Sequence, residues 1–155
     1  DSLTVAKEIA KVAQEGGFDL ILCGKESLDY NGGAVPAMVA QLLNQPFVNA
    51  SVGLEINGSE ATVVREIEGG KEIVQVNTPF VCSAAKGMAE ARIPNMRGIM
   101  AARTKPLNVV AAVSCDELTS IVSYDLPAQK TGVKMIDMEQ MDELVRLLHE
   151  EAKVI

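Results

Sequence analysis

The chain of 155 residues has no tryptophan, one histidine and an aromatic content of only 3%. A hydrophobic core must therefore be built from aliphatic side chains and methionine, which the hydrophobic content of 48% makes possible. The three cysteines, Cys23, Cys82 and Cys115, lie far apart and form no C-x-x-C pair. This spacing gives no basis for a zinc site or a disulfide framework.

Other common signals are also missing. There is no Walker lysine motif and no G-x-G-x-x-G fingerprint. No apolar run reaches the roughly 18 residues that a membrane span needs, so we expect no membrane insertion. The formal charge of −7 argues against nucleic acid as a partner, since phosphate binding requires a basic surface. The apolar surroundings of Cys23 and Cys82 predict buried, reduced thiols and a cytoplasmic location.

The first third of the chain alternates helix, strand and helix signals. Asp1-Ser2 can cap an amphipathic helix that Gly16-Gly17 ends. Residues Phe18–Cys23 predict a buried strand, and a helix from about Ala34 to Leu43 follows a polar loop. This order predicts an α/β fold with a doubly wound, mostly parallel sheet.

The middle of the chain changes to alternating apolar and polar residues, which predicts an antiparallel β-meander. Its strands are expected at Ser51–Ile56, Ala61–Glu68 and Glu72–Val76, with tight turns at Asn57-Gly58 and Gly69-Gly70. A further strand is predicted at Pro79–Ser83 and a helix at Met96–Arg103.

Two more strands are predicted at Leu107–Val113 and Ile121–Leu126. Residues Pro127–Val133 indicate an extended arm, and a last helix is predicted over Met138–Leu148 with Asp137 as its cap. We therefore expect an α/β domain with the meander over residues 1–123, and a C-terminal arm and helix over residues 124–155.

The loop between the first strand and the second helix is the strongest candidate for a ligand site. Ligands of α/β sheets bind at the carboxyl ends of strands, where helix N–H groups favour a phosphate. Side chains in the loop could hold a ribose or an adenine edge, although a plain connecting turn would use the same residues. The residues that we assign to a nucleotide site are Ser27, Asp29, Tyr30, Asn31, Gly32, Gly33, Ala34 and Val35.

A second loop, Lys86–Arg92, carries Met88 between small residues. An exposed methionine is an adaptable anchor for a protein partner, while a methionine folded back onto the core is the alternative. No catalytic residue is expected, because neither His149 nor Ser114 has a mechanistic partner at a telling spacing.

Three segments together resemble the beta subunit of electron transfer flavoproteins. Phe18–Asp29 is similar to the family's strand that ends in Gly-Lys-Gln before an aspartate-rich loop. Val63–Ser83 follows the family signature of a basic residue, an acidic-Gly-Gly turn and a proline before an apolar run. In Met88–Pro106, Glu90 and Arg92 match a Glu-Pro-Arg motif. Pro127–Lys134 is similar to the family's extended arm.

The resemblance implies a subunit of a heterodimer that transfers electrons from dehydrogenases to an acceptor. In this family the alpha subunit holds most of the redox-active FAD, and the beta subunit binds AMP or, in bifurcating members, a second FAD. The resemblance implies that Met88, Glu90 and Arg92 dock the dehydrogenase. It also implies that an arm over Tyr124–Ile155 lies on the alpha subunit.

The family's adenine-nucleotide-binding fold would be incomplete here, because its first strands have no counterpart before Asp1. We therefore expect the chain to be a piece of a longer protein.

Two alternatives remain open. The chain could be an adenine-nucleotide-binding regulatory domain that forms a homodimer. It could also be a structural interaction module with a decayed nucleotide site, which Ala34 and Pro36 favour because the family usually has glutamine and glycine there. We also expect the isolated chain to self-associate through apolar surface.

Overall fold

The computed structural model describes residues 1–130 and 132–155. The chain forms two compact units, Asp1–Ser120 and Ile121–Ile155. The first unit contains an α/β core. The second contains an irregular segment and a short helix.

The first unit contains three helices and five strands. Its helices are α1 (Ser2–Gly16), α2 (Ala34–Leu43) and α3 (Met96–Ala102). Its strands are β1 (Leu20–Gly24), β2 (Phe47–Asn57), β3 (Glu60–Ile67), β4 (Gly70–Asn77) and β5 (Phe80–Ala84).

All five strands join one mixed sheet in the order β1-β5-β2-β3-β4. Strands β1 and β2 each pair with β5 in parallel, whereas β2–β3 and β3–β4 pair antiparallel. The predicted meander is therefore confirmed, but the sheet is mixed rather than mostly parallel. The sheet is mixed because β2 has two different partners. Its beginning pairs with β5 in parallel, and its end, which follows a bulge between Ser51 and Gly53, pairs with β3 antiparallel.

Two clusters form the core of the first unit. Helices α1 and α2 meet the sheet in a cluster of buried residues, Ala6, Val39, Ala40 and Val81. The other cluster is formed by strand residues alone, namely Val48, Ala61, Val63, Phe80 and Cys82, with Met88 packed against them. The two long helices, α1 and α2, thus pack into the same cluster. A doubly wound sheet has helices on both of its faces, so that arrangement stays a prediction.

Local sequence signals fix the ends of the first two helices. The Asp1 carboxylate accepts the Thr4 N–H at 2.9 Å, as the cap prediction requires. The helix ends at Gly17, whose φ of 60° is the left-handed conformation that glycine adopts without strain. Helix α2 ends in the same way at Asn44, with φ of 53°.

The predicted strands at 107–113 and 121–126 are wrong. Both segments lack regular secondary structure, and the sheet pairings of the described residues do not include them. Apolar and β-branched residues favour a strand, but a strand also needs a backbone partner, and neither segment has one among the described residues.

The second unit ends in α4 (Met141–Arg146), which continues as a π-helical turn, Leu147–Glu151. The predicted start of this helix is wrong, because Gln140 is the capping residue. The Asp137 carboxylate instead accepts the Glu139 N–H at 3.0 Å and forms a separate turn. Within the described ranges, no helix is long and apolar enough to cross a bilayer.

Candidate functional site

A cavity of about 480 Å³ opens where β1 ends and α2 begins. This is the position at which α/β sheets bind ligands, and the volume lies within the usual range for small-molecule sites. The residues that line it are Ile9, Ile21, Leu22, Cys23, Gly24, Glu26, Ser27, Gly32, Val35 and Pro36.

The loop beside the cavity is closed by its own hydrogen bonds. The Ser27 N–H donates to the Gly32 carbonyl at 3.0 Å, and the Gly32 N–H donates to Ser27 Oγ at 3.3 Å. Asn31 takes the left-handed conformation that this reversal needs, with φ of 53°. A Cβ atom at Gly33 would lie 3.2 Å from the Lys25 carbonyl oxygen, so the close approach of the two chain segments favours glycine.

The start of α2 leaves N–H groups next to this cavity. Gly33 is the capping residue, and no side chain caps the helix. Ala34 and Val35 therefore present first-turn N–H groups, which favour an anion. Pro36 has no N–H group, and Glu26 is the acidic residue in the lining. The arrangement suits hydrogen bonding to a sugar as well as to a phosphate.

The structure brings together part of the residue set that the sequence predicted. Ser27, Gly32 and Val35 line the cavity. Asp29, Tyr30, Asn31, Gly33 and Ala34 do not line it, and the Tyr30 side chain is 93% exposed. The assignment of all eight residues to a nucleotide stays a prediction.

Sequence reasoning missed several lining residues. Cys23 and Gly24 could have been found, because they end the predicted strand at the ligand-binding edge. Glu26 lies inside the predicted loop and was not selected. Ile9 comes from α1, and no local signal links that helix to the cavity.

The thiol in the cavity lining is not set up for redox chemistry. Burial raises the pKa of Cys23, and Cys82 nearby raises it further. Burial also raises the pKa of Cys82, whose Sγ contacts Ser51 Oγ at 3.1 Å. Both cysteines are free thiols. Cys82 is buried, as predicted, but the prediction of a buried Cys23 is wrong, because Cys23 lies at the cavity and is half-buried against the helix cluster.

Hydrogen bonds tie the ends of the parallel strands together. The Lys25 N–H donates to the Ala84 carbonyl at 3.2 Å, and the Ala85 N–H donates to the Ser51 carbonyl at 2.8 Å. Buried Ser83 accepts the Ala50 N–H at 2.8 Å through its Oγ. The two candidate loops therefore leave adjacent strands at one braced edge of the sheet.

The second candidate loop follows β5. Met88 is half-buried against the strand cluster, and its N–H donates to the Ala85 carbonyl at 3.3 Å. Glu90 and Arg92 are exposed. Met88 thus packs partly against the core and is partly accessible, so its docking role stays a prediction.

Exposed apolar side chains continue far beyond this loop. Helix α3 buries no residue, and the irregular segment after it is exposed almost throughout. Large apolar side chains that are more than half exposed include Leu107, Val109, Val122, Leu126, Val133, Met135 and Met138. Large exposed apolar surfaces are typical of interaction sites.

A second cavity and the potential metal ligands fit a ligand site less well. A cavity of about 520 Å³ runs along α1 and the edge strand β1, but its lining is apolar apart from Glu8. In the described part of the chain, no group of three or more metal-binding side chains occurs. The cavity at the carboxyl end of β1 has the polar lining residues Glu26 and Ser27 and lies at the edge of the sheet where α/β proteins bind ligands.

Comparisons with known proteins agree with the resemblance read from the sequence. The family model for the electron transfer flavoprotein domain matches residues 1–114. The electron transfer flavoprotein subunit beta of Syntrophomonas wolfei is 35% identical over 88% of this chain and 55% of its own length. Those of Bacillus subtilis and Homo sapiens are 34% and 31% identical, over 100% and 98% of this chain and 64% and 60% of their own lengths.

The chain therefore spans less than two thirds of the length of these curated relatives. The family model covers most of it, and the relatives are beta subunits. The chain belongs to the electron transfer flavoprotein family and is similar to its beta subunits.

Proposed function

We propose that the chain is the beta-subunit part of an electron transfer flavoprotein that works with an alpha subunit and catalyses nothing alone. The observation that carries the proposal is the match of the family over residues 1–114. A bound flavin would accept electrons from dehydrogenases and pass them to an acceptor. The protein would act in the cytoplasm, which the three free thiols support.

The cavity beside β1 is the proposed site of an adenine nucleotide, AMP or the adenosine part of a second FAD. Its fit rests on the first-turn N–H groups of Ala34 and Val35, which favour a phosphate, beside a loop that the close approach of Gly33 to the Lys25 carbonyl keeps compact. Ser27 Oγ and the Glu26 carboxylate can accept hydrogen bonds from ribose hydroxyl groups. This assignment carries the proposed adenine-nucleotide-binding type of the fold.

The redox-active FAD would be held mainly by the alpha subunit. The polar groups that line the described cavities are too few for a complete flavin site, and they suit a sugar and a phosphate better than an isoalloxazine ring. The contribution of this chain would be a covering surface. The dehydrogenase is proposed to bind at the same edge of the sheet, on Met88, Glu90 and Arg92.

The exposed apolar arm is proposed to lie on the alpha subunit over residues 124–155. Leu126 is 95% exposed, and Tyr124 and Met135 are also exposed, although such side chains are normally buried. Contact with a partner would cover them. Without the partner, the same surface would drive self-association of the isolated chain.

The arm can be tested by binding to the alpha subunit. Leu126→Asp places a charge in the proposed interface and should weaken the complex by at least about tenfold, because an unpaired buried charge is costly. Ile73→Asp is the matched control, since Ile73 is also exposed but lies on β4. Equal binding of the two variants in the full-length protein would argue against the arm as the interface.

The nucleotide site is tested by extracting the purified full-length protein and identifying the released nucleotide. Gly33→Val should abolish nucleotide retention, because its side chain would enter the space beside the Lys25 carbonyl. Gly70→Val is the control, since a Cβ atom at Gly70 meets no atom within 4 Å. An unaltered protein that releases no nucleotide, yet still binds the alpha subunit, would favour the interaction module with a decayed site.

A further inference from the structure

The outer face of α1 carries three polar side chains in one line. Ala6 and Ala10 are buried on the inner side of the helix. Asp1, Thr4 and Glu8 are spaced by three and four residues, so they lie together on the opposite side. We call these three side chains the clasp.

Both carboxylates of the clasp accept N–H groups from one distant segment. The Val113 N–H donates to Glu8 Oε1 at 2.6 Å, and the Leu118 N–H donates to Asp1 Oδ2 at 2.7 Å. Bonds from N–H groups to carboxylates are the stronger class of hydrogen bond. Residues 113–118, which we call the strap, therefore run antiparallel to α1 along its outer face.

The middle of the strap is also in contact with the clasp. The Cys115 thiol donates to Thr4 Oγ1 at 3.5 Å, and Thr4 Oγ1 donates to Asp1 Oδ1 at 3.2 Å. Val113 and Cys115 are half-buried, whereas Ser114 between them is exposed. Alternate strap residues thus face the helix, as in an extended chain that lies on a surface.

The strap has no other regular support within residues 1–130 and 132–155. It belongs to no helix or strand, and among the described residues the clasp accepts the two strap N–H groups that are hydrogen-bonded. Two carboxylates and a hydroxyl group therefore hold an otherwise irregular segment. The strap ends at Leu118, just before the second unit begins at Ile121.

We propose that Asp1, Thr4 and Glu8 are positioning residues that hold the strap on α1 and so fix where the chain enters the C-terminal arm. Fixing this point lowers the conformational entropy that the arm loses when it binds the alpha subunit. The clasp residues would thus act on partner affinity through the strap. This inference rests on the proposed function, since it assumes that the arm binds the alpha subunit.

The experiment uses the full-length protein, with and without its alpha subunit. Glu8→Gln removes the charge that strengthens the bond to the strap, and Glu15→Gln removes the same charge from an exposed position of α1. Cys115 reports release of the strap, because its thiol lies against Thr4. Alkylation by N-ethylmaleimide, followed by peptide mass spectrometry, measures its rate separately from Cys23 and Cys82.

Glu8→Gln should raise the Cys115 alkylation rate by about three- to tenfold and weaken alpha-subunit binding by a similar factor, while Glu15→Gln changes neither. Val113→Pro removes the donor without altering α1 and should have the same two effects, with Ala112→Pro as its control. Thermal unfolding of each variant checks that the fold is retained.

Equal alkylation rates in Glu8→Gln, Glu15→Gln and the unaltered protein would overturn the clasp. Faster alkylation with unchanged alpha-subunit affinity would overturn its positioning role. If the unaltered protein does not bind an alpha subunit at all, the proposed function fails. The Cys115 rates would then still decide whether the clasp holds the strap.

Discussion

Removal of the Ser83 hydroxyl group tests how the edge of the sheet is braced. Ser83 is fully buried, and its Oγ accepts the Ala50 N–H at 2.8 Å and donates to Asn49 Oδ1 at 2.6 Å. Ala50 has φ of 53°, a left-handed conformation that is strained for alanine. The serine therefore holds the backbone of β2 at the irregularity between Val48 and Ser51, which precedes its change of partner strand.

The expected cost of Ser83→Ala is about 2 kcal/mol in the free energy of unfolding. Most of this comes from the half-buried Ala50 N–H, which loses its acceptor. In Ser83→Ala the exposed Asn49 side chain regains hydrogen bonds from water, so losing this bond adds little to the cost. Asn49→Ala instead leaves the buried Ser83 hydroxyl group without its acceptor and should cost about 1 kcal/mol. Ala50→Gly should instead stabilise the chain by about 0.5–1 kcal/mol, because glycine adopts positive φ freely.

Urea denaturation followed by circular dichroism measures all three variants against the unaltered chain. An unchanged denaturant slope would show that the differences report stability rather than a change in the unfolded state. A cost of Ser83→Ala below about 0.5 kcal/mol, or a destabilising Ala50→Gly, would refute this reasoning.

Three further predictions concern the core, the thiols and the last helix. Phe80→Ala should cost about 3–5 kcal/mol in urea denaturation, since Phe80 is fully buried in the strand cluster, and a cost below 1 kcal/mol would contradict this packing. Cys82 should react with N-ethylmaleimide more slowly than Cys115 at neutral pH, because burial blocks access and raises the pKa of the Cys82 thiol; equal rates would contradict it. Arg146 lowers the pKa of the Glu143 carboxyl group through their hydrogen bond and ion pair. The ion pair therefore stabilises α4 at pH values above the ordinary glutamate pKa of about 4.3, and this stabilisation is lost as the pH falls through the lowered pKa. The hydrogen-exchange protection factors of α4 amides, which correct for the slower intrinsic exchange in acid, should therefore fall as the pH is lowered, and Arg146→Ala should remove this fall.

The local parts of the fold could be predicted from the sequence. Helix α1 follows from the cap at Asp1 and the stop at Gly17. The meander follows from alternating residues and from Gly58 and Gly69, which take positive φ at its turns. Each of these features depends on neighbours in the sequence, and local patterns report such features reliably.

The long-range parts could not be predicted in the same way. The beginning of β2, at Phe47–Ala50, pairs with β5, a strand that lies more than thirty residues later. Leu107–Val113 has the apolar content of a strand but no strand partner, so its pattern misled the prediction. Pairing depends on chain segments that meet only in the folded protein.

The candidate site shows the same division. Ser27 and Gly32 could be found because they lie in a loop at the carboxyl end of a predicted strand. Ile9 could not, because α1 reaches the cavity only through packing. The bonds from Glu8 to Val113 and from Asp1 to Leu118 join segments more than a hundred residues apart, and no local pattern indicates them.

The most direct measurement of the central claim is the visible absorbance spectrum of the full-length protein after co-expression and co-purification with its alpha subunit. We predict a stable complex of the two chains that shows the absorbance of bound flavin. Neither nucleotide extraction nor stability data can show that the complex holds a flavin. A colourless chain that leaves the alpha subunit behind during purification would contradict its assignment as an electron-carrier subunit.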